Sequence, residues 1–501
     1  MAEKIHRGKI KTAPDPLVVK YLIEPGIRND IKYRYQAFLD CNKAHVLMLA
    51  KQGIVKKEVA AAILRCNAEM AAMGSAPTFP VDPGREDFYF NLEAHLIEEV
   101  GIEIGGQQHT ARSRNDLYAT CARLAVRQAY FDICHVYNRM RQAIIDVAAA
   151  NKDAVFAGYT HMQPSEPITF AHYCSAILSA MERDYRRIAH IFEGLNVCPL
   201  GGGSMGSTTW DIDRQYTSDL LGFNKPIDNS IDCVASRDFA TDILANLSIS
   251  ANTISRFCQD LYVWATPDYG YIEVSDSCAV CSSIMPQKKN PWVLEHIKAK
   301  AAHVEGCFIS ALNVMKNVIY SHCEDMCGEA ANYLFPGIEE MRVMCELMEV
   351  SIKGISVKKD RMLETARGNF CTVTELANYL VRHDNISFRM AHDIVADVVA
   401  YMIEHNKKAD EIGTDVVNPI FMKLFGRTTS MTDEEVRAAL DPIKIAYAKK
   451  CIGGTAPEEV SRQLAQRQSD LDRDEIELQQ REAAVNKAKA ELEKAVNAFI
   501  A

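Results

Sequence analysis

Apolar residues recur at helical spacing over unusually long stretches of this chain. Between about 116 and 150, Ile133, Val136, Met140, Ile144 and Val147 fall three or four positions apart, the period of one buried helix face. Comparable runs cover about 168–195, 235–266, 291–318 and 333–353. Each exceeds the ~11–12 residues of an average globular helix. Strand-like alternation bounded by hairpin turns is scarce. Long helices with few strands predict an all-α bundle.

The polar breaks between these runs collect reactive-looking side chains. Gly105-Gly106 leads into Gln-Gln-His-Thr-Ala-Arg-Ser-Arg-Asn-Asp116; Tyr159 to Pro164 precedes the run from 168; Pro199 to Ser204 is a glycine cluster. Residues 275–290 are polar and cysteine-rich and end at Pro291, which suits the first turn of a helix. Ends of rigid helices are places where a scaffold presents binding groups. From about 456 the chain is charged, and Leu471, Leu478, Val485 and Leu492 recur every seven residues. That pattern serves equally a helix packed on its own domain and one paired with another chain.

Composition narrows the class. The 501 residues, 48% hydrophobic and 24% charged, can bury a large core in two to four domains. A net charge of −10 without a basic block argues against nucleic acid. Any charge that binds an anionic substrate must then be local, inside a pocket. No stretch approaches the ~20 apolar residues of a membrane span. The amino terminus, MAEKIHRGKIKTAPDP, lacks the apolar core of a secretory signal. The sixteen cysteines are scattered, as Cys134, Cys174, Cys258 and Cys307 are among apolar neighbours. They read as small core residues in a reducing, cytoplasmic setting. The close pairs Cys278/Cys281 and Cys323/Cys327 have no second Cys/His pair at zinc-like spacing, so no metal is expected.

Three segments carry chemistry. In Ser282-Ser-Ile-Met-Pro-Gln-Lys-Lys-Asn-Pro291, followed by Glu295, the cation of Lys288 and the amide of Asn290 stand just before a helix. There they can hold a carboxylate and stabilise the charge it gains when a neighbouring carbon loses its proton. A basic surface turn fits the spacing equally well. In His109 to Asp116, Ser113, Arg114 and Asn115 are donors entering a helix. They suit a carboxylate or plain capping. Thr160, His161 and Gln163 read as a third helix entry, where His161 is a candidate acid/base group near neutral pH. A lone histidine is more often structural.

In this order and spacing the segments resemble argininosuccinate lyases, within the fumarase/aspartase superfamily. Ser-Ser-x-Met-Pro-x-Lys-x-Asn is similar to the superfamily's signature loop. His109–Asp116, Gly158–Gln163, Ile212–Tyr216, Ser236–Phe239, Glu375–Val381 and Gly453–Pro457 are similar to the argininosuccinate lyase branch. The likeness runs from about residue 6 to about 467.

The resemblance implies an all-helical homotetramer whose active sites are each shared between three subunits. It implies an amino-terminal helical domain over 1–115, a central long-helix bundle over 116–365 and a carboxy-terminal helical domain over 366–467. A helical extension over 468–501 exceeds the family's usual end and is expected to be dispensable for catalysis. The implied reaction is anti elimination of fumarate from an N-substituted L-aspartate, a small dicarboxylate, through an aci-carboxylate. Ser282 is implied as base, with Lys288 and Asn290 on the substrate carboxylate. His161 takes a proton-donor role with Glu295 as its orienting partner. Ser113, Arg114, Asn115 and Thr160 bind the succinyl part, and Gln163, Tyr320 and Met285 complete the substrate-binding set. No cofactor is implied, since the carboxylate is itself the electron sink.

The departures from the family pattern cluster in the half that recognises the amine. After Tyr320 a usual glutamine and lysine are missing, and the segment reads Ser-His-Cys-Glu-Asp-Met-Cys-Gly-Glu329. Cys41-Asn-Lys-Ala-His45 replaces Gly-Ser-x-Ala-His, Tyr89 stands where histidine is common, Glu166 replaces glutamine, and Cys281 replaces the glycine before the serine pair. The amine therefore stays open between that of argininosuccinate and another, as in ethylenediamine-disuccinate (EDDS) lyase. A non-enzymatic, crystallin-like relative is the remaining alternative. The reacting residues all stand in place, which favours an enzyme.

Overall fold

The computed structural model describes residues 12–501, so most of the polar amino-terminal segment lies outside the described residues. Helices α1 (Glu24–Lys51), α2 (Lys57–Ala72) and α3 (Phe88–Val100) pack around Phe38, Leu47, Ile63, Leu64 and Leu92. Asp87 caps α3 by accepting the Phe90 N–H at 2.8 Å.

Five long helices follow and make the central bundle: α4 (Arg114–Ala150), α5 (Phe170–Leu195), α6 (Asp238–Trp264), α7 (Trp292–Met315) and α8 (Leu334–Gly354). They match the five periodic runs to within a few residues. The stripe Ile133, Val136, Met140 and Ile144 is buried against Met181, Leu244, Ile254, Met341 and Met348, with Val147 packed at its margin. Burying that stripe, at ~1.5–3 kcal/mol per large side chain, is what holds helices of this length. The all-α reading holds, since the strands among the described residues are short. The longest pair is a hairpin of β1 (Val155–Thr160) and β2 (Gln163–Thr169), and a smaller one joins β3 (Val280–Cys281) to β4 (Lys289–Asn290).

A separate carboxy-terminal cluster forms where α9 (Val373–Asp384), α10 (Phe388–Glu404) and α11 (Thr414–Phe425) enclose Leu380, Ile394, Val398 and Phe421. The last helix, α12 (Pro457–Ile500), then runs back along the bundle to the amino-terminal helices. Leu471 and Leu478 join the central core, Val485 packs at its edge, and Leu492 and Val496 join the amino-terminal core. The buried Arg141 guanidinium donates to Asp474 at 2.8 Å, and buried Lys43 pairs with Asp40 at 3.0 Å and with Glu493. The heptad leucines thus face their own chain. The helix crosses 467/468 without a break, and after Pro457 no proline or glycine interrupts it. Among the described residues no helix is long and apolar enough to cross a membrane.

Candidate active site

The residues singled out by sequence fall at two ends of the bundle. At the first end, Ser113 is the N-cap of α4. Its N–H donates to Asp116 Oδ1 at 3.0 Å and its Oγ accepts the Asn115 N–H at 3.2 Å, a reciprocal capping arrangement. The other oxygen of Asp116 accepts the N–H groups of Gly201 and Gly203 at 2.8 and 3.0 Å. Burial pushes the Asp116 carboxyl up to about 6, against the opposing pull of the glycine N–H groups and the Arg112 guanidinium. Asn115 Nδ2 donates to the Ser204 carbonyl at 3.1 Å. The glycine cluster is needed for this approach. A Cβ on Gly202 would sit 2.5 Å from Cys233 Cβ, and one on Gly203 (φ +63°) 2.6 Å from the Ser207 carbonyl oxygen.

Arg114 is already engaged within its own chain. It donates to Asp87 Oδ2 at 2.6 Å and lies 4.1 Å from the Phe90 ring centroid. Tyr320, beyond the end of α7, belongs to this same end. It is 70% exposed, and its hydroxyl donates to Asp232 Oδ1 at 2.8 Å. Asp232 lies just before α6, whose Phe239 packs under the Arg123 guanidinium of α4 at 4.5 Å.

The second end begins where α4 stops. Thr160 pairs with Gln163 across a two-residue turn in which His161 has φ 55° and Met162 φ 60°. Positive φ at both central positions is the type I′ turn that matches strand twist, normally made by Asn-Gly. His161 and Met162 are exposed. The expected helix entry is therefore corrected: His161 tips a hairpin, and α5 starts only at Phe170.

The hairpin is tied to this end through Tyr159, whose hydroxyl shares a 2.9 Å hydrogen bond with that of Tyr271, and through Phe156 against Trp264 of α6. Cys258 of α6 in turn donates to the Leu294 carbonyl in the first turns of α7 at 3.1 Å. The Ser282 loop precedes α7. Val280 pairs with Asn290 and Cys281 with Lys289, and Lys289 is clamped by Glu273 at 3.1 Å and Asp276 at 2.7 Å. Between those strands Ser282 Oγ accepts the backbone N–H of Met285 at 3.1 Å and of Ile284 at 3.4 Å. Lys288 and Met285 are exposed, Asn290 is half-buried, and Lys288 makes no ion pair among the described residues. Glu295, in the first turn of α7, accepts the Tyr262 hydroxyl at 3.1 Å. No hydrogen bond joins it to His161 within the chain.

One chain therefore gathers Ser113, Arg114, Asn115 and Tyr320 at one end. At the other it gathers Thr160, His161 and Gln163, and Ser282, Met285, Lys288, Asn290 and Glu295. The 24 residues of α7, with Glu295 in its first turn and Tyr320 beyond its last, span about 36 Å.

Comparison with known proteins follows the same residues. The model of the family described as Lyase matches residues 28–306, and that of the argininosuccinate lyase C-terminal region matches 370–446. Argininosuccinate lyase 1 of Shouchella clausii is 43% identical over 481 residues, 96% of this chain and 96% of the relative. The chain belongs to the argininosuccinate lyase family. It is a carbon–nitrogen lyase. The argininosuccinate lyase of Methanocaldococcus jannaschii is 35% identical, covering 97% of this chain and 98% of its own. The crystal structure of EDDS lyase in complex with formate superposes with a TM-score of 0.87 at 28% identity, over 98% of this chain and 97% of that one.

Several residues that hold the candidate side chains in place were not found by sequence. Asp116 closes the His109–Asp116 motif, and as the acid three positions after the Ser113 cap it carried a readable capping signal. Asp232 and Tyr262 carried none, since each meets its partner across a long sequence gap.

Proposed function

We propose that this lyase releases fumarate from an N-substituted L-aspartate by anti elimination. Ser282 removes the proton beside a carboxylate, the charge spreads into that carboxylate as an aci-form, and the C–N bond breaks. The observation that carries this reading is the Ser282 hydroxyl itself. Two backbone N–H groups aim at its oxygen, on an exposed loop beside the unpaired Lys288. Such donors favour negative charge on that oxygen, the help a weakly acidic serine needs to act as a base. Lys288 and Asn290 hold the reacting carboxylate, Asn115 with Ser113 and Thr160 binds the succinyl part, and His161 supplies a proton to the departing amine.

We further propose that each site is completed by neighbouring copies in a homotetramer, three of which contribute. The support is the separation of the two ends, which no hinge within a packed bundle closes. A second support is the apolar surface left on the bundle: Trp292, Ile309 and Leu312 on α7 and Ile249 on α6 are 41–48% exposed. In that assembly Glu295 of one subunit meets His161 of another.

The test is fumarate release, followed by ultraviolet absorbance, from argininosuccinate and from EDDS, with Ser282→Ala as control. The expected result is release from at least one substrate that the control lacks. Release that survives Ser282→Ala would remove the serine from the mechanism.

A further inference from the structure

Glu295 is tied down on one side only. It is exposed in the first turn of α7, and its Oε1 accepts the hydroxyl of the half-buried Tyr262 of α6 at 3.1 Å. Its Oε2 has no hydrogen bond or ion pair among the described residues. Tyr262 is held in turn. Lys298, three positions after Glu295, stands over the Tyr262 ring with Nζ 4.0 Å from the centroid. The same ammonium donates to Oε1 of Gln259, three positions before Tyr262, at 3.0 Å. Residues three apart share a helix face, so Gln259 and Tyr262 on α6 lace to Glu295 and Lys298 on α7.

The hydrogen bond to Glu295 raises the Tyr262 phenol above its ordinary value, so it keeps its proton and donates. A carboxylate carries lone pairs on both oxygens. With Oε1 taken, Oε2 is left for a second donor at a fixed place. Other charged groups at this end are committed elsewhere. Asp260 of α6 accepts the Tyr173 hydroxyl of α5, Glu166 of the hairpin pairs with Lys449, and Lys289 is clamped by Glu273 and Asp276. His296, beside Glu295, packs edge-on against Trp292 at 4.8 Å.

We infer that Tyr262 and Lys298 are positioning residues for the elimination: they fix the Glu295 carboxylate so that its second oxygen meets the His161 imidazole of another subunit. This rests on the reading under Proposed function, which supplies the pairing of Glu295 with His161. The phenol has two opposed effects on that imidazole. It draws charge off the carboxylate, an effect of about 10–30% per bond. It also keeps the carboxylate beside the ring, where an opposite charge raises an imidazole by about 1–3 pH units. Orientation is the larger effect, so loss of the phenol lowers the pH at which His161 gives up its proton.

The experiment is the pH profile of kcat for fumarate release, from whichever of argininosuccinate and EDDS the intact protein consumes. A proton donor must be protonated, so its loss forms the alkaline limb. Tyr262→Phe keeps the ring under Lys298, and with it the packing of α6 on α7. It should move that limb down by about 0.5–1 pH unit. It should also lower kcat about 10-fold, the order lost with a partner that orients a reacting side chain, at unchanged KM. Lys298→Met should move the limb the same way by less, and Lys298→Arg, which keeps a cation over the ring, should restore it. Glu295→Gln should move it at least as far as Tyr262→Phe. A limb that Glu295→Gln moves and Tyr262→Phe leaves in place overturns this inference alone, as does a Tyr262→Phe protein changed only in unfolding temperature. A limb that Glu295→Gln also leaves in place, or release from neither substrate, sinks the reading beneath it and the inference together.

Discussion

Asn115 lies in the first turn of α4 and His161 in the hairpin just past its last turn, so one 37-residue helix, about 55 Å long, holds them apart. Both belong to the proposed site. A helix that buries Val136, Met140 and Ile144 in the bundle core cannot fold back to bring them together. On that proposal the chain offers different parts of the site at its two ends.

The hairpin tip stores strain. A non-glycine residue with positive φ costs ~1–2 kcal/mol, and His161 and Met162 both adopt it. Met162→Gly should raise stability by about 1 kcal/mol in thermal unfolding. His161→Asn should relieve similar strain yet lower kcat by about 100-fold or more, the range of a lost acid/base group. Equal gains in stability and unchanged turnover for both would show that the turn is only structural.

Asp116 gives the site a pH dependence. Its carboxyl is pushed up to about 6 in the fold, from 3.8. Above about 6 it is charged and grips the Gly201 and Gly203 N–H groups fully, so the KM for substrate should rise as pH falls through 6. The stability linkage has the opposite sense. A carboxyl raised on folding stabilises most below its unfolded value, and that contribution fades as pH rises through about 6. Asp116→Asn, measured for KM and unfolding from about pH 4.5 to 7.5, on either side of the folded value, should lose both dependences and bind substrate weakly at every pH. Retention of the wild-type KM profile in that variant would assign the titration elsewhere.

Much of this was legible in the chain. The five bundle helices announced themselves because each buries one face, and a 3.6-residue period survives in composition. The β1–β2 hairpin did not. Its turn is His-Met rather than the Asn-Gly that marks a type I′ turn, and Pro164 and Pro167 obscure the second strand. The Ser282, Asn115 and His161 segments were found by motif. The partners of Glu295, Tyr320 and Asp116, namely Tyr262, Asp232 and the Gly201 and Gly203 N–H groups, lie far off in sequence, where only the fold joins them. The heptad of α12 was ambiguous for a physical reason, since the same leucine spacing packs on a helix of its own chain or of another.

The packing of α12 gives the chain beyond 467 a part in stability, whatever it contributes to catalysis. Leu471, Leu478, Leu492 and Val496 are 0–2% exposed, at 1%, 2%, 1% and 0%. Each contributes ~1.5–3 kcal/mol of burial, against a typical net stability of ~5–15 kcal/mol. Ending the chain at 467 should therefore give a protein that unfolds at much lower temperature or fails to accumulate in soluble form. An unchanged unfolding temperature would show that the two cores close without it.

Gly203→Ala probes the loop that Asn115 leans on. With φ +63° and a carbonyl 2.6 Å from the new Cβ, the loop must shift. The expected result is a KM raised several-fold with little change in unfolding temperature. A KM at the wild-type value would detach the 201–204 loop from substrate binding.

The central claim is that fumarate is released in a site assembled from more than one chain, and it is tested most directly by co-expressing two inactive variants. Asn115→Ala and Ser282→Ala, each silent alone, should together recover about a quarter of wild-type fumarate release, because random assembly leaves that share of sites with both residues intact from different subunits. No recovery from a mixed assembly that forms normally would mean that Asn115 and Ser282 serve the same site from one chain, and would contradict the account.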